Sequence, residues 1–211
     1  MDLIFPSDND LGIPTLDVAL QPSALEAPLW CWGREARSKC RGGTACFYAD
    51  DYRFTAIWEN PDAIIQSGVS SVVEVNYSVV EASPRAVAVW ATYRKRWLAR
   101  YWQTLGLRIW VDLCAGHADI NLLGVPSGWR AFATRGWDSR IEDLDDELDL
   151  ARTFHDSPML LVWAGGALVA QWCREHGAIH VPDPTNAKWR PGQGTRRRLR
   201  EAALSLFGEQ P

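Results

Sequence analysis

A chain of 211 residues with 47% hydrophobic and 23% charged side chains can bury a sizeable core, and this composition argues against disorder. The net charge of −4 gives no global pull toward nucleic acid. No apolar run reaches the roughly eighteen residues that a membrane-spanning helix needs.

The N-terminus, Met1 to Asp10, lacks the positive region and long apolar stretch of a secretory signal. Five cysteines, an odd number, fit reduced thiols better than a disulfide framework. A soluble cytoplasmic protein with no membrane partner is the expectation.

Residues 1–48 contain Pro6, Pro14, Pro22 and Pro28 and little periodicity, so an irregular segment wrapping the rest or forming an edge is expected. Cys31, Cys40 and Cys46 have no close pair, which is a poor match to a structural zinc knuckle. The run Asp50-Asp51-Tyr52-Arg53-Phe54 follows, with Trp58 and a short helix starting at Asn60-Pro61. Adjacent carboxylates suit a hard divalent cation such as magnesium, which makes Asp50 and Asp51 candidate metal ligands. The plainer alternative is that one aspartate caps a turn while the other pairs with Arg53 or Arg94.

Val69–Val75 reads as the first core strand, rich in β-branched residues. The aromatic segment Ser83–Gln103 then predicts a long helix, with Ser83 as N-cap, Pro84 at the first position and Gly106 as its stop. It carries three Trp, two Tyr and five cationic side chains. Helical winding puts Val87, Trp90, Tyr93, Trp97, Leu98, Tyr101 and Leu105 on one broad apolar face, with Arg94 near its middle. Arg96 and Arg100 fall on the opposite side. An arginine aimed into an aromatic core needs a carboxylate, carbonyl or anionic ligand, so Arg94 is a candidate functional residue.

Further strands are expected at Leu107–Leu113, Arg130–Thr134, Met159–Trp163 and Ala178–Val181. Helices about Ile141–Phe154 and Ala167–His176 lie between them. On the acidic helix, Ile141, Leu144, Leu148 and Ala151 share one face, which leaves its carboxylates to solvent. Alternating strands and helices predict an α/β fold with a mostly parallel sheet, open or barrel-like, and flanking helices. Residues 49–183 form this core, and 184–211 a loop followed by a basic amphipathic helix. One domain overall is expected.

Ligand sites in such sheets gather beyond the carboxyl ends of strands. The residues there are Asn76 and Tyr77, Asp112 with Cys114 and His117, Thr134 to Trp137, Gly165-Gly166 and Asp183. Gly165-Gly166 before a helix offers backbone amides to a phosphate, although close packing explains the pair equally well.

No acid occurs between Glu81 and Asp112 or between Asp183 and Glu201, and each interval holds six basic residues. Two basic blocks set against the acidic helix can orient a polyanion. With twelve Trp in the chain, some rings can stack on bases or sugars while most build core. Nucleic acid is therefore the expected partner, with Arg96, Arg100, Arg196, Arg197, Arg198 and Arg200 tracking phosphates. Tyr93 and Tyr101 are candidate nucleophiles for strand transfer or, more plainly, packing residues.

Cys40 through Phe54 with Trp58, followed by Trp90, Thr92-Tyr93-Arg94, Arg96-Trp97-Leu98 and Tyr101-Trp102-Gln103, resembles the phage and mobile-element family labelled domain of unknown function 4417. The likeness covers about residues 10 to 183 and implies an association with phages, prophages or plasmids. It names no activity. The chain departs from the family pattern at Asn76, where an aspartate is usual.

The leading expectation is a nucleic-acid-handling protein, with metal-assisted phosphodiester chemistry at Asp50, Asp51, Tyr93, Arg94 and Asp112 as its enzymatic form. The alternatives are a small-molecule or sugar enzyme on a barrel-like α/β body, and an interaction protein aimed at a host factor.

Overall fold

A computed structural model describes residues 4–34, 36 and 41–183. Seven strands run through it: β1 Leu29–Cys31, β2 Thr44–Cys46, β3 Ser71–Val73, β4 Arg108–Asp112, β5 Ala131–Arg135, β6 Met159–Trp163 and β7 Ile179–Val181. The helices are α1 Ala63–Gln66, α2 Arg85–Thr104, α3 Ala118–Asn121, α4 Glu142–Arg152 and α5 Ala167–His176. The basic C-terminal helix, with Arg196, Arg197, Arg198 and Arg200, lies outside the described residues, as does Cys40.

All seven strands are parallel and pair in chain order, β1 to β7. Sequential parallel pairing with crossovers of one hand keeps the helices on one face and curls the sheet toward a barrel. No ladder joins β1 to β7 among the described residues. Instead, Arg34 just after β1 donates from Nη1 to Asp183 Oδ2 just after β7, at 2.8 Å. The two edges thus approach each other at the carboxyl end of a nearly closed barrel.

The inner face is a small core of its own, built from Leu29, Cys31, Cys46, Tyr48, Val73, Trp110, Ala131, Ala133, Leu161, Trp163 and Ala164. Its small residues leave room for two buried indoles, the large–small complementation that fills a narrow barrel. The outer face, with Trp30, Ala45, Phe47, Val72, Ile109, Val111, Phe132, Leu160 and Val162, packs against the helices as the main core.

Three expectations from sequence need correcting. Strands β1 and β2 lie within the first 48 residues, so this segment contributes two of the seven strands. Helix α2 also sits differently from its predicted winding. Its buried stripe is Ala88, Ala91, Thr92, Lys95, Arg96, Leu98, Ala99, Trp102 and Gln103, with Trp97 also covered, whereas Val87 and Trp90 are about half exposed. Small side chains let the helix approach the sheet closely. The aromatic ladder lies on its flank, where Trp58 meets Trp90 and Trp97 edge to face and Trp97 stacks on Tyr101. Pro84 is the N-cap of α2, and Ser83 Oγ accepts from Val80 N instead of capping the helix.

Candidate functional site

The carboxyl end of β4 delivers Asp112 to the inner face, fully buried. Its Oδ1 accepts from Tyr48 Oη at 2.9 Å and from Cys114 N at 3.2 Å. Its Oδ2 accepts from Asn76 Nδ2 at 2.9 Å and faces Lys95 Nζ at 3.5 Å. The Asp112 carbonyl accepts from Lys95 Nζ at 3.2 Å and from Asn121 Nδ2 at 3.0 Å. Groups from the ends of β2 and β3, from β4 itself, and from α2 and α3 therefore converge on one residue. Burial and the Asp112 charge push the Tyr48 phenol well above its ordinary range, which keeps it a proton donor. Burial, followed by the Asp112 charge, also raises the Cys114 thiol, so this cysteine is no ready nucleophile.

Beside this cluster lies a small recess lined by Tyr77, Thr92, Lys95, Gly116 and Asn121, among others. Its volume of about 10 Å³ admits one oxygen-sized group. Tyr77 Oη and Asn121 Oδ1 are both buried there without a hydrogen-bond partner. Burial pushes the Tyr77 phenol up to about 12, against the pull of the Arg94 charge.

Arg96 is not available to phosphate, which corrects the reading of it as a surface residue. Its guanidinium is fully buried, paired with Glu74, and donates to the carbonyls of Leu123 at 3.1 Å and Asn121 at 2.7 Å. Much of the first basic block is matched in the same way. Arg85 pairs with Asp119, Lys95 with Asp112 and Arg108 with Glu26. Arg100 is half-buried with its guanidinium over the Phe5 ring.

Arg94 lies over the Tyr77 ring, 3.9 Å from its centroid, and 5.3 Å from that of Trp90. Its Nε is buried without a partner, and among the described residues it pairs with no carboxylate. Asp50 pairs with Arg53, and Asp51 accepts from Ser78 N at 3.1 Å and Ser78 Oγ at 2.7 Å. The twin aspartates thus turn to different partners, and a donor set for one shared ion is not assembled. Among the described residues, no group of three or more His, Cys, Asp or Glu is placed to hold a metal. Tyr93 is half-buried and stacked on Trp90, and Tyr101 Oη donates to Asp62.

The α5 N-terminus after Gly165-Gly166 is already filled. Asp138 Oδ1 accepts from Gly166 N at 2.7 Å and from Val169 N at 3.2 Å, where a phosphate would bind. Lys95, Tyr48, Asn121 and Glu147 were not singled out from sequence. For Lys95, the missing signal was helical phase, which hydropathy alone misassigned on α2; Asn121 ends the four-residue α3, too short for a periodic signal.

These features define a barrel-like α/β protein with a buried polar centre at the carboxyl end of its sheet. The family described as Domain of unknown function (DUF4417) matches residues 5–145, and the chain belongs to it. The Gene 1 protein of Mycobacterium phage D29 is 32% identical over 133 residues, covering 60% of this chain and 48% of that protein. The Gene 1 protein of Mycobacterium phage L5 is 30% identical over 152 residues, covering 69% of this chain and 66% of the relative. The chain therefore spans about half to two thirds of the length of these phage relatives. No solved structure matches it. Among the described residues, no helix is long and apolar enough to cross a membrane.

Proposed function

We propose that this phage-family protein is an enzyme acting on a small polar molecule at the carboxyl end of its barrel, with Lys95 and Asp112 handling a proton. The observation that carries this reading is the recess beside Lys95. An ion pair built for stability alone would not leave Tyr77 Oη and Asn121 Oδ1 buried and unpartnered next to it. A hydroxyl or carbonyl oxygen of a substrate fits that space, accepting from Tyr77 and Lys95 and, if protonated, donating to Asn121. An amine held against a carboxylate can give and take a proton at such an oxygen.

The test is turnover of metabolite mixtures containing sugars, sugar phosphates and nucleotides, followed by proton NMR. Wild-type protein consumes a component, and the Lys95→Met/Asp112→Asn double variant, which leaves no lone charge buried, does not. Equal consumption by both proteins would remove these residues from the chemistry.

A second reading, nucleic-acid handling, is favoured by a different observation. Trp90 is half exposed, stacks on Tyr93, and adjoins the Arg94 guanidinium, which pairs with no carboxylate among the described residues. Single-stranded bases stack on such rings while arginine meets phosphate. DNA or RNA is the partner on this reading. Fluorescence polarisation across a salt series tests it. Salt-dependent binding that Trp90→Ala weakens supports it, and no binding at low salt counts against it.

A further inference from the structure

Arg135 and Trp163 are register partners at the carboxyl ends of β5 and β6. Strand alternation puts Arg135 on the same inner face as Ala131 and Ala133. Each partner carries a buried N–H with no hydrogen-bond acceptor, Arg135 Nε and Trp163 Nε1. Trp163 is 1% exposed. A third such donor, Trp110 Nε1, lies deeper on the same face, two residues before Asp112. Buried N–H groups almost always find a partner, so the adjacent pair at the strand ends leaves an acceptor unaccounted for.

The surroundings favour an anion as that acceptor. Among the described residues, Arg135 has no carboxylate partner, and its guanidinium lies over the Trp137 ring, 5.1 Å from the centroid. Ring stacking fixes the plane of the guanidinium and leaves its N–H edges free. Asp112 pairs in register with Ala133, two residues before Arg135 on the same inner face, and Cys114 N donates to Asp112. The orphaned donors thus adjoin the polar centre.

We propose that Arg135 and Trp163 form an oxyanion subsite that binds a phosphate or carboxylate group of the substrate handled at Lys95 and Asp112, so that the substrate is a small anion. This deepens the enzyme reading above and rests on it for the identity of the reacting end. Phosphate and carboxylate offer the same acceptor chemistry and differ in charge and shape.

The experiment follows the indole N–H resonances of the full chain as inorganic phosphate or acetate is added in separate arms. The Trp163→Phe variant, which keeps an aromatic ring but lacks the donor, assigns the Trp163 signal. A shift of that signal with phosphate alone identifies a phosphoryl group, and a shift with both anions a site open to carboxylates. Either result supports the proposal. Arg135→Met and Trp163→Phe are each expected to weaken anion binding by about tenfold or more. No shift in either arm, or unchanged affinity in Trp163→Phe, overturns the subsite. Anion binding that persists in Lys95→Met/Asp112→Asn supports an independent subsite. If the subsite binds anions but turnover ignores Lys95 and Asp112, the enzyme reading fails while the subsite stands.

Discussion

Arg96 on α2 and Glu74 just after β3 form an ion pair in which neither side chain reaches solvent. The pair joins the helix to the outer face of the sheet directly behind the Asp112 cluster. Glu74 Oε2 also accepts from Asp112 N at 3.2 Å, so the two networks share a residue. Removing one member of a buried pair leaves the other charge uncompensated. Arg96→Met is therefore expected to destabilise the protein by about 3–5 kcal/mol. The double variant Arg96→Met/Glu74→Met should recover part of that loss, but not all, because Asp112 N loses its acceptor. Urea unfolding of the two single variants and the double variant checks this. Additive losses would mean that the pair is not coupled.

Gly124 holds the N-terminal segment against the body. Its φ of +77° favours glycine, and a Cβ there would stand 2.1 Å from the Pro14 carbonyl oxygen. Its own carbonyl accepts from Leu16 N at 2.9 Å. Gly124→Ala is expected to cost about 2–4 kcal/mol, through left-handed strain plus a backbone clash. The Leu16 amide should also lose its protection against hydrogen exchange. Unchanged protection would show that this segment is anchored elsewhere.

Strands β3 to β7 and helices α4 and α5 were legible in the sequence because continuous apolar runs alternate there with amphipathic helices. Strands β1 and β2 were not, since the proline-rich segment that holds them shows little hydrophobic periodicity. The phase of α2 was misread for a physical reason. Hydropathy assigns Lys95 and Arg96 to solvent, whereas Asp112 and Glu74 supply buried countercharges from distant strands. Asp112, Asn76 and Cys114 were visible as strand-end positions, but nothing local marks them as one hydrogen-bonded cluster. Arg135 lay within the same strand-end set without a role, because its orphaned N–H becomes apparent only once its neighbours are in place.

Asn76 stands where the family resemblance leads one to expect an aspartate, and its geometry predicts what that exchange does. Its amide donates to Asp112 Oδ2 at 2.9 Å and to the Cys114 carbonyl at 2.5 Å. Asn76→Asp replaces a donor by an acceptor facing two acceptors, so two carboxyl groups must share a proton or gain a cation. A loss of about 2–4 kcal/mol at about pH 8, shrinking toward about pH 5 as the shared proton returns, is expected. Thermal unfolding with and without magnesium separates the two outcomes. Rescue by the ion would mean that the paired carboxylates form a cation site, and a pH-independent loss would overturn the proton-sharing account.

Glu147 on α4 is the exception on an otherwise solvated acidic face. Its carboxyl accepts from Thr134 Oγ1 at 2.8 Å, and its second oxygen is buried without a partner. Burial is the main cause that pushes its pKa up to about 8, with the Asp112 charge adding to the effect. The native state therefore holds a proton that the unfolded chain releases near its ordinary value of 4.5. Between those two values the folded protein binds the extra proton, so stability falls as pH rises through the window. The expected loss from about pH 5 to about pH 9 is on the order of 3 kcal/mol. Glu147→Gln keeps the acceptor for Thr134 and cannot ionise, so it should flatten this slope. Urea midpoints measured across the range check it. A wild-type slope equal to that of Glu147→Gln would mean that the carboxyl is already ionised in the fold, with a cation or water satisfying its free oxygen.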